Sequence, residues 1–314
     1  MNKHNRTRGW MATASMMLLA VLMCVPAHAE PAIAVLMSHD SAPYKAMLEG
    51  FQKHLRNKGI EAEYAVMQAG GDKGKARQLA GEIAQQDPAL IYCLGSMACQ
   101  SVQQLTQQRP VVASMVLTPA SISPEAQATG VFLNYLPETQ LQWLKKLFPE
   151  LRRVGVIYNP EQNQALIDKA SNTARQLGLE LVAAPIDTPK ELPAALKNLL
   201  RNIDILWALP DRTVLTSQTA KEVLLTSFRN RIPVIGASAP WVKGGALYAL
   251  DWDYTDMGAQ NATMALKVLK GTPINKIPAA EPRAVAYTLN LKTVKHMKLD
   301  MPDEVSRGAK HVYQ

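Results

Sequence analysis

Ile33-Ala-Val-Leu-Met37 runs into Ser38-His-Asp-Ser-Ala-Pro-Tyr44 and then into an amphipathic stretch that ends at Lys58-Gly59. Five apolar residues in unbroken succession read as a strand covered on both faces. From Tyr44 to Lys58, the residues Met47, Leu48, Phe51 and Leu55 fall on one helical face, and Gly59 stands where a left-handed helix cap belongs. The unit then recurs, with strand 61–67, helix 73–86, strand 89–94, helix 97–107 and strand 111–115. Apolar strands alternating with helices predict a parallel sheet covered on both faces.

The second half repeats the theme. The pattern predicts helix 138–147, strand 154–158, helix 162–177, strand 179–183, helix 189–201, strand 203–209, helix 214–229 and strands 233–235 and 246–250. A long helix follows from about 254 to 270, stopped by Gly271 and Pro273. Two successive runs of one type predict an α/β protein with two doubly wound parallel-sheet lobes. The chain is expected to cross between lobes near 134–138 and to return near Leu250. The expected lobes are 30–135 plus 251–283, and 136–250 plus 284–314. Ligands of open parallel sheets bind beyond the carboxyl ends of the strands. Two facing lobes would set two such rims across one cleft that closes by hinge motion.

Outside this region, Lys3, Arg6 and Arg8 precede an apolar run over 16–25, which ends in Pro26-Ala-His-Ala29. A basic start, a short apolar middle and a small-x-small end predict a secretory leader cut after Ala29. The apolar run is shorter than the roughly 20 residues of a membrane span. A lipidated Cys24 is disfavoured because Met23 stands where a small residue is needed. Removing 29 of 314 residues and three positive charges from a formal +8 leaves 285 residues at +5. That length supports two lobes of roughly 100–150 residues each. No dense basic stripe with interleaved aromatics occurs, so nucleic acid is not an expected partner. After the leader only Cys93 and Cys99 remain. A strand end and the following helix are expected to hold their Cα atoms beyond the ~7 Å limit for a bridge, leaving two buried thiols, with a disulfide as the alternative.

Several stretches resemble the ABC-transporter substrate-binding proteins of the tryptophan/tyrosine-binding type, which are periplasmic binding proteins of type I fold. They are Gly130-Val131, Leu141 to Pro149, Arg153-Val-Gly-Val-Ile-Tyr-Asn-Pro160, Pro210-Asp211, Gly244-Gly-Ala-Leu247, Asp253-Tyr254, Gly258, Leu269-Lys-Gly271 and Pro278. The C-terminal Leu289-Asn-Leu-Lys-Thr-Val-Lys-His-Met-Lys-Leu-Asp-Met-Pro302 is similar to the family's closing pattern, with Met297-Lys298 in place of Leu-Gly. The first strand end, Ser38 to Tyr44, departs from the family's usual segment. The resemblance implies a small-molecule ligand, an ABC permease in the inner membrane as partner and a periplasmic location. A monomer without cofactor or metal is expected.

Candidate ligand-binding residues lie at strand ends. Ser38, Asp40 and Tyr44 stand at the first rim, although Tyr44 equally suits the core face of its helix. Ser96 and Met97 open a helix whose free N–H groups suit a carboxylate. Ser114 stands at the next strand end, with Val116 and Thr118 beyond it. The resemblance implies that Tyr158 and Asn159, with Asn163, hold the ligand; the other reading is that Asn159-Pro160 only starts a helix. It also implies that Asp211 meets a ligand ammonium, against a role as helix cap. Ser238 and Trp241 follow a further strand, and Trp241 either stacks on the ligand or packs in the interior.

Enzyme signatures fail. Ala69 and Ala76 replace essential positions of a phosphate loop, and the Asp251 to Asp256 run lacks the Gly and Glu of a calcium loop. The expected function is capture of an amino acid or amino-acid-like solute for a permease. The alternatives are a module feeding a sensor kinase or chemoreceptor, and an exported α/β enzyme.

Overall fold

The computed structural model describes residues 30–314 apart from 106–108, 118–127 and 217. The leader and Thr118 therefore lie outside the described residues. The first sheet is built from β1 (Ala32–Met37), β2 (Glu63–Gln68), β3 (Leu90–Leu94), β4 (Val111–Ser114) and β5 (Ala128–Val131). Between them run α1 (Ala42–Asn57), α2 (Lys73–Gln86) and α3 (Ser96–Leu105). All pairings are parallel, in the order β2-β1-β3-β4-β5, with Val35 opposite both Val66 and Tyr92.

The second lobe begins with α4 (Pro137–Leu147), β6 (Arg153–Tyr158), α5 (Pro160–Gln176) and β7 (Glu180–Pro185). It continues through α6 (Leu192–Leu199), β8 (Ile205–Trp207), α7 (Thr219–Arg229), β9 (Val234–Ile235), α8 (Ala239–Lys243) and β10 (Tyr248–Trp252). After α9 (Tyr254–Leu269) come β11 (Val285–Asn290), α10 (Leu291–Met297), α11 (Asp303–Arg307) and β12 (His311–Tyr313). The second sheet runs β12-β11-β10-β9-β8-β6-β7, and only β11 opposes its neighbour β10. Its segment β7-β6-β8-β9-β10 repeats the strand order of the first sheet.

Continuous apolar strands feed two cores at once. Ile33, Val35 and Met37 enter the cluster under α1 and α9, while Ala34 and Leu36 enter the opposite one. In the second lobe Val154, Val156 and Tyr158 face one way and Ile157 the other. Each such side chain, fully buried, stabilises the fold by about 1.5–3 kcal/mol before entropy is counted. Amphipathic α1 adds Met47, Phe51 and Leu55, all buried, and Phe51 stacks on Tyr92 at 4.1 Å.

Although α9 follows a strand of the second sheet, it packs on α1 of the first lobe. Gly50 lies against the Thr255 backbone and Gly258 against the Met47 backbone, so closely that neither site has room for a Cβ. The chain then pairs Ala280 with Val131 and returns to β11. Three crossings therefore join the lobes, at 132–136, 252–254 and 281–284. Among the described residues, no helix is long and apolar enough to cross a membrane.

Several local expectations are corrected. Cys93 and Cys99 form a disulfide with Cα atoms 5.2 Å apart. Gly95, at φ 92°, turns the chain so sharply that the first turn of α3 folds back over the end of β3. Strands β5, β11 and β12 escaped the periodicity, being short or mixed in polarity. Helix α7 starts at Thr219 instead of 214, because the Asp211 carboxylate and the Thr216–Thr219 hydroxyl pair hold the preceding residues in turns.

Candidate ligand-binding cleft

In each lobe the strand order reverses at one place, between β1 and β3 and between β6 and β8, and a crevice opens there beyond the strand ends. At the first, Ser38 is buried and its Oγ accepts the Ala98 N–H (3.0 Å), capping α3 from the neighbouring strand. Tyr44 is half-buried, lies edge-on to His39 at 5.8 Å, and has its phenol pushed up by burial. A Cβ at Gly95 would strike both the Ser38 Oγ and the Tyr44 hydroxyl, so a side chain there would displace the rim. Ser96 is exposed and Met97 half-buried at the start of α3. Asp40 is exposed, pairing with Lys45 (3.1 Å) and accepting from Gln68 Nε2 (3.3 Å). Ser114 is fully buried: its Oγ donates to Val131 O (2.9 Å) and accepts from Asn261 Nδ2 (3.0 Å).

At the second crevice Asp211 organises the rim. Its Oδ2 accepts the Asn159 N–H (2.8 Å) and the Asn163 Nδ2 amide (2.8 Å). Its Oδ1 accepts the backbone N–H groups of Thr213 (2.8 Å) and Val214 (2.9 Å). Four neutral donors on a buried carboxylate satisfy its oxygens from within the protein. Asn159 precedes Pro160 as the cap residue of α5, and its Nδ2 donates to Ile186 O (3.1 Å). The buried Tyr158 donates from its hydroxyl to Gln164 Oε1 (2.9 Å).

Between the rims lies a cavity of about 60 Å³. Leu117 bounds it from the first lobe, and Leu133 to Tyr135 and Trp252 from the crossings. Gln140, Leu166, Trp207 to Pro210, Gly236 and Ala237 close it from the second lobe. Among the described residues, neither the buried Trp252 Nε1 nor the buried Gln140 Oε1 has a hydrogen-bond partner. The residues around the cavity are mostly apolar.

None of the twelve candidate side chains lines this cavity. Asp211 and Ser238 are chain neighbours of the lining residues Pro210 and Ala237. Ser38, Ser114, Asn159, Asn163 and Asp211 are committed to internal hydrogen bonds. Trp241 is half-buried in α8 and lines a different groove of about 610 Å³ with Leu224, Phe228 and Pro240, along the α7–α8 face and away from the strand ends. The cavity walls Leu117, Gln140, Trp207 and Trp252 were missed. Trp207 ends a strand and carried a readable signal; Gln140 lies within α4 and Trp252 at the second crossing.

Comparison with known proteins bears on this arrangement. The model of the ABC transporter substrate binding protein family matches residues 30–313. The chain is 25% identical to the tyrosine-binding protein of Clostridioides difficile (strain R20291), over 84% of this chain and 79% of that one. Among solved structures it is similar to a ligand-free, open substrate binding protein with adhesive properties from Clostridium difficile, at TM-score 0.73 and 22% identity, covering 90% of this chain and 99% of that one. It is also similar to an ABC domain in complex with L-Trp from Streptococcus pneumonia, at TM-score 0.58 and 19% identity with the same coverage. The shared fold is that of type I periplasmic binding proteins.

Proposed function

The chain belongs to the ABC transporter substrate binding protein family, and from that premise we propose that it captures an amino acid or amino-acid-like solute between its lobes. The lobes are taken as 30–135 plus 251–283, and 136–250 plus 284–314, with Asp251 and Trp252 moved to the second lobe as the last residues of β10. The observation that carries the reading is the cavity bounded by both lobes and their crossings, with Trp207, Leu209 and Trp252 in its walls. The named activity of the Clostridioides difficile relative supports an amino acid over a sugar. In this reading Trp207, Leu209 and Trp252 cover the apolar part of the ligand, and the N-terminus of α3 at Ser96 and Met97, outside the cavity wall, meets its carboxylate only when the lobes close. Asp211 acts as scaffold for the second rim and leaves the ammonium to other acceptors.

Capture without covalent chemistry follows, with delivery to an inner-membrane permease after export and removal of the leader at Ala29. The closed form is what the permease recognises, so ligand binding is coupled to recognition by population shift. Thermal-shift screening of residues 30–314 against amino acids tests the ligand class. A compound at one hundred times its dissociation constant adds about 2.7 kcal/mol to the apparent stability. A shift with sugars or organic acids and none with any amino acid would reject the class.

A further inference from the structure

Two side chains meet at the place where the lobes are joined. The Tyr135 hydroxyl, on the first crossing, donates to Asp251 O (2.9 Å) at the end of β10 and to Ala284 O (3.1 Å) on the third crossing. Its ring stacks on Trp252 with centroids 6.3 Å apart and planes at 10°. The second tie comes from the far end of the chain. The Lys310 N–H donates to Tyr287 O (2.8 Å), anchoring its backbone to β11 just before β12. The Lys310 Nζ donates to Trp252 O (2.8 Å), pairs with Asp251 Oδ2 (3.1 Å) and lies 5.3 Å from the centre of the Tyr254 ring.

These contacts fall on both sides of one crossing. Asp251 and Trp252 end β10 in the second sheet, whereas Tyr254 opens α9 and packs against the first-lobe core. The other Asp251 oxygen accepts the Trp252 N–H (2.7 Å), so both backbone groups of Trp252 are tied to the same ion pair. The pair is sheltered: the Asp251 side chain is 12% exposed and that of Lys310 34%. Removing the ammonium would leave a largely buried carboxylate without its cation and the aromatic face of Tyr254 without its partner.

We propose that Lys310 is a positioning residue for ligand capture: braced by the C-terminal strand, it sets the angle at which β10 hands the chain to α9, and with it the placement of Trp252 in the cleft wall. The inference rests on the capture reading only where ligand affinity is concerned. A measurement without ligand keeps the two apart. Spin labels at Gln78→Cys on α2 and Lys197→Cys on α6, both exposed, report the distance between lobes by double electron–electron resonance in the full mature chain. The native bridge leaves only the introduced thiols to react.

Lys310→Met is expected to broaden the interlobe distance distribution about twofold, because one restraint on the ensemble is gone. Lys310→Arg, which keeps the cation, is expected to restore the parent width. Titrated with L-tyrosine, Lys310→Met is expected to bind roughly tenfold more weakly, as the binding-competent fraction falls. If Lys310→Met does not fold, Asp251→Asn replaces it: it retains an acceptor for the Trp252 N–H, loses the ion pair, and is expected to broaden the distribution in the same way. A distribution for the variant that superimposes on the parent's overturns the proposal. A parent that does not bind L-tyrosine rules out that amino acid alone, and the distance measurement still decides the brace.

Discussion

Asn261 shows how a single polar side chain holds the first lobe together. It is fully buried on α9, where its Oδ1 accepts the Val131 N–H (3.0 Å) and its Nδ2 donates to Ser114 Oγ (3.0 Å) and Met257 O (2.9 Å). Asn261→Ala would orphan the buried Val131 N–H and take from the Ser114 hydroxyl the bond it accepts, so it is expected to cost about 1–3 kcal/mol. Urea denaturation with an unchanged slope checks this, and a loss near zero would show that those groups find other partners. At this scale the internal commitments of the polar side chains were not legible. Ser38, Ser114, Asn159 and Asp211 carry the polar atoms that binding would want, and a sequence places them at strand ends. It does not show that the neighbouring backbone claims those atoms first. Lys298 was legible: it stands where the family pattern has Gly, and it adopts the left-handed cap conformation at φ 55°.

The strands buried on both faces, β1, β3 and β6, were read as continuous apolar runs, and the half-exposed β2 and β7 were also found, with ends shifted by one or two residues. Strand β5 is only Ala-Thr-Gly-Val, and β12 only three residues, too short for a period to emerge. The crossing of α9 from one sheet to the other lobe's core left one trace in the sequence, the small residues that let helices touch. Gly258→Ala would drive a methyl group into the Met47 carbonyl of α1, and is expected to destabilise by about 1–3 kcal/mol through overpacking. The comparison is Gly81→Ala on α2, where nothing lies within 4 Å; that change is expected to stabilise by about 0.4–1 kcal/mol. Equal effects of the two substitutions in thermal denaturation would contradict the close α1–α9 contact. The disulfide was misjudged at this same scale, because the sharp turn at Gly95 shortens a distance that regular strand and helix geometry would keep long.

For the molecule as a whole, buried phenols set the alkaline limit of stability. Burial holds the Tyr92 and Tyr248 hydroxyls well above their usual value of 10, and Tyr254 is pushed up to about 12 by burial, then by Asp251 and Tyr44. Below pH 10 both folded and unfolded chains keep these protons, and stability is unaffected. Above it the unfolded chain ionises while the native one does not, so stability falls as pH rises. The slope is about 1.4 kcal/mol per pH unit for each fully buried phenol. Urea midpoints between pH 8 and pH 11 test this, and a flat profile would contradict the burial. The two-lobed plan itself was readable from alternation alone, whereas the cavity between the lobes was not, because its walls come from both lobes and two of the crossings.

Small-angle X-ray scattering of residues 30–314, with and without the amino acid that gives the largest thermal shift, tests capture by closure most directly. The radius of gyration is expected to fall on binding, and to stay at its ligand-free value when Trp207→Ala is given the same compound. A compound that binds tightly while the parent's scattering remains unchanged would contradict closure of the two lobes on their ligand.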